Sequence, residues 1–313
     1  MAVASSGTAV RERLPVRGRS LRHFSWDRFT PFLLITPSIV LIAVFVYGFI
    51  GYTAFVSTRK WYGIVPDYTS VGLRQYQDLF GLPRFQADIS NTIQFTILFL
   101  ASSILIGFGS AMLLDLKLRG SFIFQNVFLF PLALAFVVTG TIWRWVLNPN
   151  TGINLVFDQL HLGFLKSPWL SDTHTAIYGL VIAATWQMSG FCMAMFLAGL
   201  RAIPEELREA ARVDGASEWR AFWSVILPLM RPITLSAVII LGHISLKIFD
   251  LVYVMTFGGP GYATDMPSLY MFVAVFRQNL YGRGAAIAMV LLLMVALLIV
   301  PYLVWSMRQE VER

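Results

Sequence analysis

The sequence predicts an all-α integral membrane protein. It has six transmembrane helices, both chain ends in the cytoplasm, and one folded cytoplasmic elbow between the fourth and fifth spans. Three observations lead there. Hydrophobic residues make up 57% of the 313 residues and charged residues 13%, about half the charged share of a soluble domain. Mean hydropathy is +0.68, and six stretches are apolar over the roughly 20 residues that a helix needs to cross a bilayer. The densest run of charge, Glu205, Glu206, Arg208, Glu209, Arg212, Asp214, Glu218 and Arg220, lies between two of these stretches. So many ionic groups cannot lie in lipid.

Residues 1–30 carry Arg11, Arg13, Arg17, Arg19, Arg22 and Arg28 after a Ser- and Gly-containing start. This composition predicts a disordered basic tail held in the cytoplasm. It accounts for most of the net charge of +7, so the charge speaks of membrane topology and not of nucleic-acid binding. A spanning run follows with no small-residue cleavage site, so no cleavable signal is expected. Cys192 is the one cysteine, and no internal disulfide can form.

The first span is expected at about Phe32 to Ala54. An aromatic surface stretch with Trp61, Tyr62, Tyr68 and Tyr76 follows. The second span is about Asn91 to Leu114, ending at Asp115, Lys117 and Arg119. The third is about Phe122 to Leu147, with Trp143-Arg144-Trp145 near its exit and a turn signal at Asn148-Pro149. The fourth is about Thr175 to Leu200. The fifth is about Pro232 to Phe257, broken off by Gly258-Gly259-Pro260-Gly261. The sixth is about Gly284 to Trp305, leaving a charged end at 308–313. The Arg-rich tail then places the Lys117/Arg119 turn and the elbow inside. Arg59, Lys60, Arg74 and Arg84 in the first external loop run against that bias.

The elbow reads as a helix, a sharp turn and a second helix. Pro204 suits a first turn, and Glu205 and Glu206 sit at the positive end of the helix dipole. Leu207, Ala210, Ala211 and Asp214 share one face. Gly215 stops the helix in a left-handed conformation, and Ser217 caps the next. Pro228 and Pro232 lead into the fifth span. By local physics alone this is a solvated amphipathic loop.

The same residues carry a family resemblance. Glu209-Ala210-Ala211, then Gly215, then Val225, Leu227 and Pro228 resemble the E-A-A-x3-G-x9-I-x-L-P motif of permease subunits of ABC importers, with Val225 where the pattern has Ile. The flanks from Trp186-Gln187 to Leu200, from Phe249-Asp250 to Pro260, Gly72 to Phe80 and Trp143 to Pro149 resemble the carbohydrate-uptake branch, so the likeness covers nearly all of 30–307. It is closest to the maltose/glycerol-phosphate type of "first" permease, one of a heterodimeric pair. The resemblance implies a transport domain over 31–307, with residues 204–228 as the element that couples to an ATPase through Glu209, Ala210, Ala211, Asp214 and Gly215. It implies a second related permease, two ATPase subunits that hold ATP and Mg, and an extracytoplasmic sugar-binding protein, all at a bacterial or archaeal cytoplasmic membrane. No G-x4-G-K-[ST] phosphate loop occurs, so this chain is expected to bind no cofactor and to hydrolyse nothing itself.

Polar groups inside spans are costly and so mark function or helix contacts. Gln187, Tyr253, Asp250, Trp186, Trp143 and Ser189 are the candidates for a sugar pathway, with amides and hydroxyls for sugar hydroxyls and rings for a platform. The bland alternative makes the rings packing or belt residues. Lys247 and Asp250, three apart, are expected to form a structural ion pair. The candidate contact with the binding protein is Gly258, Gly259, Pro260, Gly261, Tyr262 and Asp265, which could equally be a simple turn. A rival class is an ion- or proton-coupled transporter using His243, Lys247 and Asp250, though no internal repeat is visible. A membrane enzyme finds no nucleophile–base pair and no metal-ligand spacing. The sugar is expected to be a neutral mono- or disaccharide, glucose-like by the 258–265 stretch.

Overall fold

The computed structural model describes residues 26–116 and 120–311. The Arg11–Arg22 tail, the Lys117/Arg119 turn and residues 312–313 lie outside them. Apart from one Arg59–Ser70 bridge, every regular element among the described residues is helical. Among the described residues, those up to Gly51 and those from Tyr52 on form separate units. α1 (Trp26–Ile42) lies in the first and starts within the stretch read as tail; after a wide turn at Ala43–Gly48, α2 (Phe49–Ser57) carries the chain into the second. Phe32, Leu34, Ile35 and Val40 of α1 are all exposed, as suits a helix whose solvent is lipid.

In the second unit, short α3 (Arg74–Gly81) precedes α4 (Pro83–Asp115), a helix of 33 residues that opens on a proline. Then come α5 (Ser121–Leu129), α6 (Phe136–Val146), the small α7 (Ile153–Gln159) and α8 (Ala176–Ala202). The elbow holds α9 (Glu205–Val213), α10 (Glu218–Ala221) and α11 (Leu227–Leu229). α12 (Arg231–Leu246), α13 (Asp250–Met255), α14 (Pro267–Phe272) and α15 (Tyr281–Val311) complete the chain. α15 runs on to Val311, into the charged end that begins at 308.

Among the described residues, four helices are long and apolar enough to cross a membrane: Leu34–Ser57, Pro83–Asp115, Ala176–Ala202 and Tyr281–Val304. Two bent pairs raise the number to as many as six. Ser121–Ala133 and Phe136–Val146 meet at 104°, and Glu218–Leu229 and Arg231–Leu246 at 58°. The expected third span is therefore not a straight helix, and the second bend, at Met230, lies just before the expected fifth span, which has an interruption of its own. The third breaks at Phe130–Ala133, where Pro131 lacks an N–H and Leu134 and Ala135 are extended. The fifth breaks at Lys247–Phe249.

α8 is the centre. Its spanning window is 72% buried, against 28% for α4, and it contributes Leu180, Met193 and Phe196 to a core shared with Phe95 and Phe99 of α4 and Leu241 of α12. Hydroxyl pairs pin the helices where water is absent: Ser102 to Thr185 at 2.6 Å and Thr96 to Ser245 at 2.9 Å. At Gly190 the backbone of α5 comes so close that a β-carbon there would sit 1.9 Å from the Phe128 carbonyl oxygen.

Candidate functional site

The elbow folds as its local chemistry dictates. Gly215 adopts φ +76°. Its N–H reaches the Arg212 carbonyl, and the Ala216 N–H reaches the Ala211 carbonyl, both at 3.0 Å. Those two bonds close α9 in a Schellman turn, which only a residue at ease with positive φ can form. Ser217 Oγ then accepts the Arg220 N–H at 3.3 Å and caps α10. Beyond α10 the helix widens into a π-helical turn at Phe222–Ile226. Pro228 has no N–H for the Ser224 carbonyl and its ring would strike it, so the turn opens.

This elbow has an inner and an outer side. Ala211 is buried and faces the body of the protein. Arg208 donates to Asp115 of α4 at 2.9 Å and to the Leu200 carbonyl at the end of α8 at 3.0 Å. Glu209, Ala210, Asp214 and Gly215 are exposed, and Val213 beside them is 87% exposed. The free face is therefore acidic at its rim and low in the middle. Trp219 and Trp223 extend it, their rings 5.7 Å apart and both exposed.

The stretch after α13 is tied down along its length. Thr264 Oγ1 bonds the Gly259 carbonyl at 2.8 Å, and Thr256 meets Thr264 at 2.7 Å. Asn91 Nδ2 donates to the carbonyls of Tyr262 and Asp265 at 2.7 and 3.0 Å. Arg84 Nε bonds Asp265 Oδ2 at 2.6 Å, and its guanidinium lies over the rings of Tyr262 and Tyr270. Gly261 and Tyr262 are exposed, Gly259 and Pro260 half-buried, and Gly258 and Asp265 buried. The Asp265 side chain thus holds the loop from within and offers no surface to a partner. Burial pushes its carboxyl above the usual carboxylate range, while the Arg84 guanidinium works against that. Asp88, wholly buried one turn along α4, lies beside it, both oxygens without a donor among the described residues. A cleft of about 340 Å³ opens between Asn148–Pro149, Leu170–Ser171 and Gly259–Pro260.

The six pathway candidates fall into two groups. Trp143 of α6 and Trp186 of α8 meet edge to face at 5.9 Å. Gln187 is buried beside the broken third span, where its Nε2 donates to the Leu134 carbonyl at 2.7 Å. That bond answers a carbonyl freed by the break. Gln187→Leu is therefore expected to cost about 1–3 kcal/mol by leaving it unpaired, read as a lowered melting temperature. Ser189 is buried and reaches the Trp186 carbonyl only at 3.5 Å. In the second group Asp250 is exposed and Tyr253 half-buried. Tyr253 is ringed by Phe249, Phe257 and Phe272, with centroids 5.3, 5.2 and 5.6 Å away.

The expected Lys247–Asp250 pair is not made among the described residues. The helix stops at Leu246 and restarts at Asp250, so three-residue spacing no longer puts them on one face. Both are exposed, and no ion pair among the described residues joins His243, Lys247 or Asp250 into a relay. Phe249 and Phe272 were not singled out by sequence reasoning, although Phe249, Tyr253 and Phe257 recur at the four-residue spacing of a helix stripe. Nor were the bonds Arg208–Asp115 and Arg84–Asp265, which join residues far apart in the chain and carry no local signal.

The family model described as "binding-protein-dependent transport system inner membrane component" matches residues 103–309. A probable ABC transporter permease of Pyrococcus horikoshii is 41% identical over 279 residues, covering 89% of this chain and 96% of its own. The xylose/arabinose import permease of Haloferax volcanii is 36% identical over 273 residues, covering 86% of each. Among solved structures, a chain of a bacterial alginate ABC transporter, in complex with a periplasmic protein bound to an alginate pentasaccharide, superposes with a TM-score of 0.73. It is 19% identical, and the match covers 88% of this chain and 95% of that one.

Proposed function

The chain belongs to the family of inner membrane components of binding-protein-dependent transport systems, as a sugar ABC importer permease subunit, and from that premise we propose how it works. It forms one half of a translocation pathway and pairs with a second, related permease. Two ATPase subunits bind and hydrolyse ATP with Mg in the cytoplasm, and an extracytoplasmic sugar-binding protein delivers the substrate. Each bent helix pair counts as one crossing, so six spans place both termini in the cytoplasm of a bacterial or archaeal cell. The exposed apolar side chains of α1 meet membrane lipid. The transport domain is 31–307, flanked by a basic tail at 1–30 and a short end at 308–313.

The observation that carries this reading is the elbow. It is a capped, rigid helix pair whose outer face is free and whose inner face is ion-paired to α4 and bonded to α8. A groove on an ATPase would take Glu209, Ala210, Asp214 and Gly215, with Ala211 packing behind them. Closure of the ATPase pair then moves the elbow as a body, and the spans pass between inward- and outward-facing states. On the outer side, Gly259–Gly261 and Tyr262 with the cleft beside them meet the binding protein. Asp265 supports that contact from behind.

The sugar is a neutral mono- or disaccharide, glucose-like. Tyr253 in its ring of phenylalanines offers a flat apolar face to the C–H side of a pyranose, and Asp250 accepts from hydroxyls. The xylose/arabinose permease among the relatives fits a pathway for neutral sugars. Trp143 and Trp186, with Gln187 and Ser189, shape the wall below. The test is uptake of labelled glucose, maltose and xylose into vesicles holding the assembled complex. Uptake is expected to require ATP and the binding protein and to survive collapse of the proton gradient. Uptake that follows the gradient without ATP would overturn the reading.

A further inference from the structure

We propose that α4 is the strut that links the cytoplasmic elbow to the outer loop, with Arg208 and Arg84 as the positioning residues at its two ends. This rests on the reading that the elbow meets an ATPase and the loop a binding protein. The 33 residues of α4 span about 50 Å at about 1.5 Å per residue, well beyond the roughly 30 Å of a hydrocarbon core. Both ends therefore reach past the lipid, and each ends in an ion pair to one of the two candidate contact surfaces.

The four ion pairs among the described residues differ in shelter. Arg212–Glu218 and Lys166–Asp158 join side chains 41–81% exposed; pairs of that kind contribute little. Arg84–Asp265 is 20% and 1% exposed and Arg208–Asp115 22% and 17%. The two sheltered pairs are the ones at the ends of α4, where salt screens them least. Each guanidinium also has a second hold. Arg208 bonds the Leu200 carbonyl at the end of α8, and Arg84 lies 4.8 and 4.2 Å from the ring centroids of Tyr262 and Tyr270. Asn91, two turns into α4, adds two bonds to the same outer loop.

Between its ends α4 is locked to its neighbours, and a β-carbon at Gly107 would lie 2.3 Å from the Cys192 Cβ of α8. It lies against α8 and α12 through the Phe95–Phe99 core and two hydroxyl pairs. A helix pinned in this way moves as one body with the helices that hold it. A displaced elbow pulls Asp115 through Arg208, and α4 carries that displacement to Arg84, Asp265 and the loop. In the other direction, a binding protein seated on the loop biases the elbow toward the position that the ATPase needs.

The test is ATP hydrolysis by the full complex in lipid, basal and with sugar-loaded binding protein, for Arg84→Gln, Arg208→Gln and the two combined. Basal hydrolysis is expected to be unchanged, while stimulation falls about tenfold in each single variant, within the usual range of coupling energies. The combined variant is expected to be no worse than either single one, because one strut cut twice fails once. The charge swap Arg208→Asp with Asp115→Arg is expected to recover only part of the stimulation, because it restores the pair but not the bond to the Leu200 carbonyl. If stimulation falls only in step with the melting temperature across these variants, the role is one of stability and the proposal fails. Full stimulation in Arg84→Gln overturns the proposal, as does a combined loss of about a hundredfold, the product of two independent effects. If Arg208→Gln does not assemble, Asp115→Asn removes the same pair from the α4 side and gives the same comparison. Glu209→Lys on the outer face separates the two readings. If it loses stimulation while the Arg variants keep theirs, only the strut fails; if it keeps stimulation, the role of the elbow itself fails.

Discussion

Replacing Gly190 by leucine is expected to leave no folded protein in the membrane. A β-carbon at this position would lie 1.9 Å from the Phe128 carbonyl oxygen and 2.7 Å from its carbon. Both are backbone atoms and cannot rotate away. α8 is the most buried of the spanning helices and α5 rests on it here, so relief requires moving a whole helix. Overpacking in a core typically costs about 1–3 kcal/mol, and a contact this short against backbone belongs at the top of that range or above it. Even Gly190→Ala, which gains about 1 kcal/mol of helix propensity, is expected to melt several degrees lower. The measurement is size-exclusion of the detergent-solubilised complex after a heating series. Gly109→Ala is the control, because a β-carbon there meets nothing within 4 Å. If Gly190→Ala melts with the wild type, the α5–α8 crossing is not as tight as described.

Tyr253→Leu is expected to lower sugar uptake about tenfold while leaving hydrolysis stimulated by loaded binding protein intact. An aromatic contact adds about 0.5–1.5 kcal/mol beyond the area that it buries, and about 1.4 kcal/mol is a factor of ten. Leucine keeps most of the bulk among Phe249, Phe257 and Phe272 but removes the flat face. Tyr253→Phe keeps the face and is expected to transport within about threefold of wild type, since only one neutral hydrogen bond is lost. Uptake rates across a sugar concentration series distinguish the two variants. Wild-type transport by Tyr253→Leu would move the platform away from α13, with Trp143 and Trp186 next in line.

The sequence made some of this legible and hid the rest for physical reasons. The spans at Leu34–Ser57, Pro83–Asp115, Ala176–Ala202 and Tyr281–Val304 are visible because lipid demands a long apolar helix and permits little else. The elbow is visible because its chemistry is local: Pro204, Gly215 and Ser217 each act within a few residues of themselves. The break in the third span is not visible in hydropathy, because residues 131–135 stay apolar through it, and at the break in the fifth, Lys247 and Asp250 show only as charges on either side of Ile248 and Phe249. What permits each break comes from another helix. Gln187 of α8 donates to Leu134 at the first, and Ser268 of α14 donates to the Ile248 carbonyl at the second. Residues 131–135 and 247–249 give no sign of those donors. The Lys247–Asp250 expectation failed for the same reason, since it assumed a helix that continues. Arg208–Asp115 and Arg84–Asp265 were hidden because pairing across the fold follows from packing. In the sequence Arg84 is a charge that runs against the topology, and its place beside Asp265 explains why a cation is held there.

The central claim is that energy reaches this chain through the outer face of its elbow. The direct measurement is ATP hydrolysis by the assembled complex in lipid, with and without sugar-loaded binding protein. It compares the wild type with Glu209→Lys combined with Gly215→Pro. Proline fixes φ near about −65° and cannot hold the +76° of Gly215, so the turn between α9 and α10 is lost while the spans stay as they are. The account predicts a complex that assembles at wild-type yield and hydrolyses ATP at the basal rate, with the stimulation abolished. An assembled variant complex that binding protein and sugar stimulate as fully as the wild type would contradict it.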